Sequence, residues 1–382
     1  MICHLHFSDA ATSPASCIHD EQAWKNPANA WSDARFARKQ DDPIGQSTMT
    51  MAFVLLLGAA LAIYLSCEFF VNGIEWAGKR LGVSQMATGS ILAACGTALP
   101  ESVVTFVAVA FGTTPAQKEL GVGAALGGPL MLSTIGYGVV GLVFILSKKN
   151  DQRAFFSTES RAGLVSDQHW FMAIFIAKVA LGLLAFSVKP WLGIGFLLAY
   201  AVYVRQEMRS SHVAAKNTVT PAPLKIRPAA TQPALCWIVL QVTAALVVIF
   251  FSSQLFIDQL SLIGPALGIS PQLVALLLSP LATELPEILN AVIWVRQGKQ
   301  QMALANIGGA MMIQATIPSA CGLFFTPWLL APDLIWAAFV TMLSIAAFSL
   351  LLRADKLTGP RLSWFGLLYV VFALGLIAQL LR

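Results

Sequence analysis

Apolar residues in this chain come in long blocks separated by short polar connections. Ten of the blocks are on the scale of a bilayer crossing, at about 52–74, 85–111, 121–147, 169–187, 190–205, 235–257, 271–295, 302–325, 329–352 and 363–381. Roughly 20 apolar residues suffice to span the hydrocarbon layer as a helix. The pattern therefore predicts an all-α integral membrane protein with ten transmembrane helices. The longest connection, 206–234, contains the polar, proline-rich stretch "SSHVAAKNTVTPAPLKIRPAATQP" and reads as a linker. It divides the chain into five helices (51–205) and five helices (235–382). Residues 1–50 are polar and lack the apolar core of a signal peptide. They read as a disordered segment or as a mis-assigned N-terminal extension, with Met49 or Met51 as the better start.

Composition supports a membrane protein. Hydrophobic residues make up 57% of the chain and charged residues only 11%, against about 25% charged in soluble domains. The sidedness of the charges adds orientation. Connections after the odd-numbered blocks hold sixteen Lys and Arg: Lys79, Arg80, Lys148, Lys149, Arg153, Arg161, Arg205, Arg209, Lys216, Lys225, Arg227, Arg296, Lys299, Arg353, Lys356 and Arg361. The opposite side, beyond the N-terminal tail, holds three: Lys118, Lys189 and Arg382. Positive residues stay inside, so the odd connections and the 206–234 linker are expected in the cytoplasm. Both membrane-proximal termini then lie outside, in a plasma (inner) membrane. The net charge of +5 sits in these connections, and no nucleic-acid partner is implied. All five histidines lie outside the apolar cores, and the six cysteines form no CxxC pair. Histidine catalysis and a cysteine metal site are thereby disfavoured.

The two halves repeat. "SPLATELPEILNAV" (279–292) aligns with "AACGTALPESVVTF" (93–106) at an offset of 186, and "SQLFIDQLSLIGPALGIS" (253–270) lies over "CEFFVNGIEWAGKRLGVS" (67–84) without a gap. Phe70/Phe256, Thr97/Thr283, Leu99/Leu285, Pro100/Pro286 and Glu101/Glu287 are identical pairs. Past Glu101 the offset becomes 182, matching Gly127/Gly309 and Thr134/Thr316. An odd number of helices per half makes this an inverted-topology repeat. Such repeats place ion sites near the midplane, on interrupted helices. Pro100 and Pro286 are expected to break the second and seventh helices, each break presenting a carboxylate. Two carboxylates with carbonyl and hydroxyl oxygens suit a hard cation such as calcium.

At these residues the chain resembles the cation/calcium exchanger superfamily, specifically its sodium/calcium exchanger branch. The G-T-[SA]-L-P-E motif stands at Gly96–Glu101, with its partner at Ala282–Glu287. The resemblance covers about Val54 to Leu381. It implies ten helices in two inverted five-helix repeats, an exchange of calcium against sodium, and a site between the second, third, seventh and eighth helices. Carried over by position, Thr97, Glu101, Thr283 and Glu287 are its ligands. The eighth helix reads "NIGGAMMIQ" (306–314), keeping Asn306 and Gly309 but placing Ala310 for the family's serine and Gln314 where Asp or Asn coordinates. The third reads "AALGGPLML" (124–132), with Gly128 and Leu132 at ligand positions and Pro129 expected to break the helix.

Each of these residues also has a plainer reading. Glu101 and Glu287 can be buried, protonated structural acids, and the hydroxyls of Thr97 and Thr283 can bond a carbonyl one turn back. Gln314 and Asn306 can join helices by hydrogen bonds. Glu284, three residues before Glu287, shares the cavity as a ligand or binds protons. Glu68, Asn72 and Asp258 read as packing or vestibule polars, and Glu75, four residues before Lys79, as half of an interfacial ion pair. Gly127, Gly128, Gly308 and Gly309 read as close-packing sites. The function expected is secondary antiport by alternating access, calcium against sodium. A proton-coupled antiporter on the same fold and a degenerate, non-transporting relative are the alternatives. The partners are calcium and sodium ions and the lipid bilayer. No enzyme activity and no cofactor are expected, and a monomer is compatible with this reading.

Overall fold

The computed structural model describes residues 46–111, 115–147, 158–184, 188–214, 221–266 and 283–380, with Leu277 and Pro280. Within 46–266 and 283–380 the side chains of some helical residues, Leu99, Pro100 and Glu101 among them, also lie outside the described set. The description concerns the compact unit Met51–Arg382. Its regular elements are helices, with no strand among the described residues. They are α1 (Gln46–Leu81), α2 (Gln85–Ala87), α3 (Ala94–Phe111), α4 (Pro115–Met131), α5 (Tyr137–Leu146), α6 (Thr158–Gly182), α7 (Leu192–Ala214) and α8 (Leu235–Ala266). The remainder are α9 (Leu285–Arg296), α10 (Gln300–Phe325), α11 (Pro332–Arg353), α12 (Gly359–Ser363) and α13 (Gly366–Leu380). Wide π turns join α2 to α3 over Thr88–Ala93 and α4 to α5 over Leu132–Gly136. Among the described residues, seven helices are long and apolar enough to cross a membrane. The other three blocks are helical where described. One is divided by the first π turn, one ends in charged residues, and one is described only from residue 283 apart from Leu277 and Pro280.

The centre of the bundle is α10, packed by α3, α4, α6, α7, α9 and the first π turn. Its most apolar stretch is 83% buried, against 33% for α1 and 28% for α8. The exposed faces of α1 and α8 carry Leu57, Leu61, Leu65, Val247 and Phe251, side chains suited to lipid. Glycine permits the tightest crossing. A Cβ on Gly309 would run into the backbone of Ser90, and one on Gly89 would stand 2.7 Å from the Met302 carbonyl oxygen. The first π turn and α10 thus approach backbone to backbone, as small residues allow in membranes.

Two expected breaks are not where the sequence placed them. Helix α3 runs on through position 100 to Phe111, and the irregularity in that block is the π turn before it. Pro129 sits inside α4 without ending it. A proline lacks the N–H that the carbonyl four residues back requires, here that of Ala125. The Lys178 ammonium of α6 donates to that carbonyl at 2.7 Å, so the helix continues. The break at Pro286 is observed. Leu285 and Pro286 are the first residues of α9, where a missing N–H costs nothing, and Glu284 precedes them at φ −86°, ψ 0°.

The 206–234 linker begins in helix. Helix α7 continues to Ala214, through the helix formers Gln206, Glu207 and Met208. Residues 221–234 then lie against α1 and α8. Asn72 donates to the carbonyls of Ala222 (3.1 Å) and Pro223 (3.3 Å), and Trp76 to that of Ala222 (2.8 Å). Gln241 of α8 donates to Phe69 O and Asn72 Oδ1, and accepts from the N–H of Ile226. Leu224 is fully buried with Trp76 and Ile238.

Candidate ion site

Seven residues were expected to bind the cation, and the structure brings most of the described ones to the start of α9. Glu284 and Glu287 are 0% and 1% exposed. Across from them on α10, the Gln314 amide nitrogen donates to both carboxylate oxygens of Glu284, at 2.8 and 3.0 Å. Gln314 therefore turns its nitrogen, not its oxygen, to the acid. Asn306 donates to the Glu287 backbone carbonyl at 3.3 Å, and its own Oδ1 has no hydrogen-bond partner among the described residues. A buried acceptor without a donor is costly in a protein interior and is what a cation would satisfy.

Thr97 and Thr283 show the plainer geometry. Their hydroxyls donate to Ala93 O and Pro280 O, each at 3.2 Å. An oxygen that donates its proton this way keeps lone pairs for a cation. The Glu101 side chain lies outside the described residues, so Glu101 is carried by the repeat alone. Asp258 is exposed on α8.

Gly128 acquires a reason here. A Cβ at this position would stand 2.7 Å from Gln314 Oε1 and 2.8 Å from Glu284 Oε1. Glycine on α4 thus makes room for the Glu284–Gln314 pair at a position where the family resemblance expected a ligand-bearing side chain. Leu132, by contrast, is a fully buried apolar residue of the second π turn. Gly96, the first residue of the G-T-A-L-P-E motif, receives the Phe70 ring of α1, where a Cβ would meet Cζ at 2.6 Å.

Sequence reasoning missed Asn290. It lies on α9 one turn beyond Glu287, fully buried, with neither amide atom hydrogen-bonded among the described residues. Its signal was present: a lone amide in "ILNAVIW", three residues from the acid and so on the same helix face.

On the α1 side of this region is a cavity of about 420 Å³, lined by Tyr64, Glu68, Asn72, Glu75, Lys225 and Arg296 among others. Lys225 of the linker pairs with Glu68 at 2.6 Å. The Glu75 carboxylate is joined by Lys299 and by Trp294 Nε1 (3.0 Å), so its ties cross to the other half of the chain. The Cys67 thiol lies 3.8 Å from the Pro286 carbonyl, which puts α1 beside the start of α9.

Residues 51–205 and 237–380 match the family described as sodium/calcium exchanger protein. The chain belongs to the sodium/calcium exchanger family. Similar curated proteins include the inner membrane protein YrbG of Escherichia coli K12, 23% identical over 84% of this chain and 98% of its own. The putative antiporter CaxA of Alkalimonas amylolytica is 26% identical over 73% of this chain and 82% of its own. Among solved structures, the sodium-calcium exchanger NCX_Mj soaked with Na+ and Sr2+ superimposes with a TM-score of 0.66 at 20% identity. That match covers 85% of this chain and 97% of the other. At that identity the match speaks for the exchanger fold.

Gly128→Ala is expected to act on ions more than on folding. The atoms a Cβ would strike are the ends of two flexible side chains, which swing away at modest cost but lose their mutual hydrogen bonds. Cation affinity should fall roughly 10-fold, on the order of one charge-assisted hydrogen bond, while the melting temperature changes little. Transport assays beside thermal unfolding of the purified variant check this.

Proposed function

We propose that this exchanger-family chain is a secondary antiporter that moves calcium against sodium by alternating access, on ten helices arranged as two inverted five-helix repeats. The observation that carries the reading is the set of buried oxygens at the start of α9: Glu284, Glu287, Asn290 and Asn306, in a segment that lipid would otherwise make prohibitive for charge. Hard carboxylate and amide oxygens suit calcium and sodium. Glu284 supplies from the seventh block the charge that Gly128 does not supply from the third. Glu101, by the repeat, supplies its share from α3, with Thr97 and Thr283 as hydroxyl ligands. Gln314 orients Glu284 and so helps the site through it.

Cation occupancy neutralises the acids, and a neutralised centre crosses the dry intermediate at lower cost. Helices α1 and α8 are the moving pair in this scheme. They are among the less buried spans, they are hydrogen-bonded to each other through Gln241, and residues 222–226 of the linker tie them together. The Phe70–Gly96 contact is a sliding surface in the same scheme.

A second reading, a proton-coupled antiporter on the same fold, is favoured by one feature: Gln314 commits its amide nitrogen to Glu284, so the eighth block contributes no carboxylate. Calcium flux into proteoliposomes under separate sodium and pH gradients decides between them. Uptake driven by an outward sodium gradient supports calcium–sodium exchange, and uptake driven only by a pH gradient supports the proton-coupled reading. No flux under either gradient would point to a non-transporting relative.

Gln314→Leu should weaken calcium affinity by about 1–2 kcal/mol, the scale of a lost hydrogen bond to a buried charged group. Unchanged affinity would remove Gln314 from the site. Orientation follows from the charge bias. We place the linker in the cytoplasm of a plasma (inner) membrane. A cysteine at the exposed Ala229 in a cysteine-free background should therefore resist an impermeant thiol reagent added outside intact cells. Ready labelling from outside would invert the topology.

A further inference from the structure

Lys178 is the buried charge that the scheme above does not use. It lies within the Arg161–Gly182 span, fully buried, with its ammonium on Ala125 O at 2.7 Å and 4.8 Å from the centroid of the Phe175 ring. Among the described residues no carboxylate lies within ion-pair distance of it. An intramembrane lysine without an anion beside it is expensive, and a carbonyl cap alone needs no charge, since a neutral donor serves as well.

Its position supplies the reason. Ala125 lies on α4 one turn before Gly128, and Gly128 abuts the Glu284 carboxylate. By helix geometry the ammonium stands within about 10 Å of that carboxylate. At this separation in a protein interior the two charges remain coupled. Counting Glu101, which the repeat alone assigns to it, the proposed centre has three carboxylates. Lys178 offsets one of them, and a divalent cation brings the sum to zero. Without Lys178 the same loaded centre keeps one net negative charge.

We propose that Lys178 is a tethered internal cation that sets the charge count of the transport site and so fits it to a divalent ion. This rests on the antiporter reading. Because Lys178 also caps the carbonyl freed by Pro129, the two roles have to be separated. In Lys178→Met/Pro129→Ala the restored N–H of residue 129 bonds Ala125 O, and only the charge is removed. Lys178→Gln is the companion variant, keeping an amide donor on α6 with no charge.

Calcium transport by wild type, by Pro129→Ala and by both charge-removed variants is measured in proteoliposomes, with thermal unfolding alongside. Removing the charge should tighten calcium binding about tenfold, by Coulomb attraction no longer opposed. It should also slow maximal uptake at least ~10-fold, because a loaded centre that is now anionic crosses the membrane interior at higher cost. Affinity and rate thus move in opposite senses. A structural cap predicts instead that the double variant behaves as Pro129→Ala does in both. Affinity equal to that of the matching Lys178 parent, or weakened together with rate, in whichever variant folds would overturn the proposal. Absence of transport by wild type would count against the antiporter reading. In that case calorimetric calcium binding by the same proteins still tests Lys178, since tightening requires no flux.

Discussion

Glu287→Gln and Glu284→Gln are each expected to lower calcium uptake by at least ~100-fold, which at about 1.4 kcal/mol per tenfold corresponds to about 2.8 kcal/mol. Calcium oxygens sit at about 2.3–2.6 Å and affinity follows the number of charged ligands, so the loss of one carboxylate from so small a set is a large fraction of the binding energy. Folding should respond differently. Both acids are buried, and a buried carboxylate costs more to desolvate than an amide of the same shape. The variants should therefore purify as monodisperse protein with melting temperatures no lower than wild type. Glu101→Gln should match them through the repeat. Glu68→Gln is the control: its side chain is 35% exposed at the cavity and pairs with Lys225, so its effect on uptake should be a few-fold at most. Near-normal uptake by Glu287→Gln would remove the paired-acid site.

The second large effect concerns folding. Gly309→Ala is expected to prevent recovery of folded protein, whereas Gly308→Ala, one residue away, should be tolerated. A Cβ on Gly309 meets the oxygen, carbonyl carbon and Cα of Ser90, all backbone. No side-chain rotation relieves that overlap, so either α10 or the first π turn must shift, and both belong to the most buried part of the bundle. Overpacking costs about 1–3 kcal/mol when side chains can adjust and more when they cannot, which is a sizeable part of a marginal stability. At Gly308 the nearest atom is Gln168 Nε2 at 3.6 Å, ordinary contact. Size-exclusion yield and thermal unfolding of the two variants, side by side, check the contrast. Equal behaviour would mean that the crossing is looser than this geometry.

The apolar blocks, the motif at Gly96–Glu101 and its echo at Ala282–Glu287 are all legible in one dimension, because helix length, hydropathy and a repeated string are local properties. Thr134 and Thr316, paired by the repeat, even make the same bond, each hydroxyl donating to the carbonyl four residues back at 2.6 Å. The candidate acids Glu284 and Glu287 are legible too, since a charge in an apolar block is conspicuous against its surroundings.

Other features are not, and the reason is distance along the chain. In the sequence Gly128 reads as a lost ligand, and only its approach to residues 284 and 314 shows why a side chain there would collide with the acid pair. Pro129 reads as a helix break, yet Lys178, on another helix, takes the carbonyl it frees. Glu75 reads as the partner of Lys79 one turn away, and the fold joins it to Lys299 and Trp294. The sequence by itself determined the apolar blocks, the charge bias of their connections, the repeated string and the acids written in it, because each is a matter of spacing along the chain. Tertiary structure alone decided what those acids face, which freed carbonyls are capped and which glycines are indispensable, because those depend on which segments the packing of helices brings within a few ångströms.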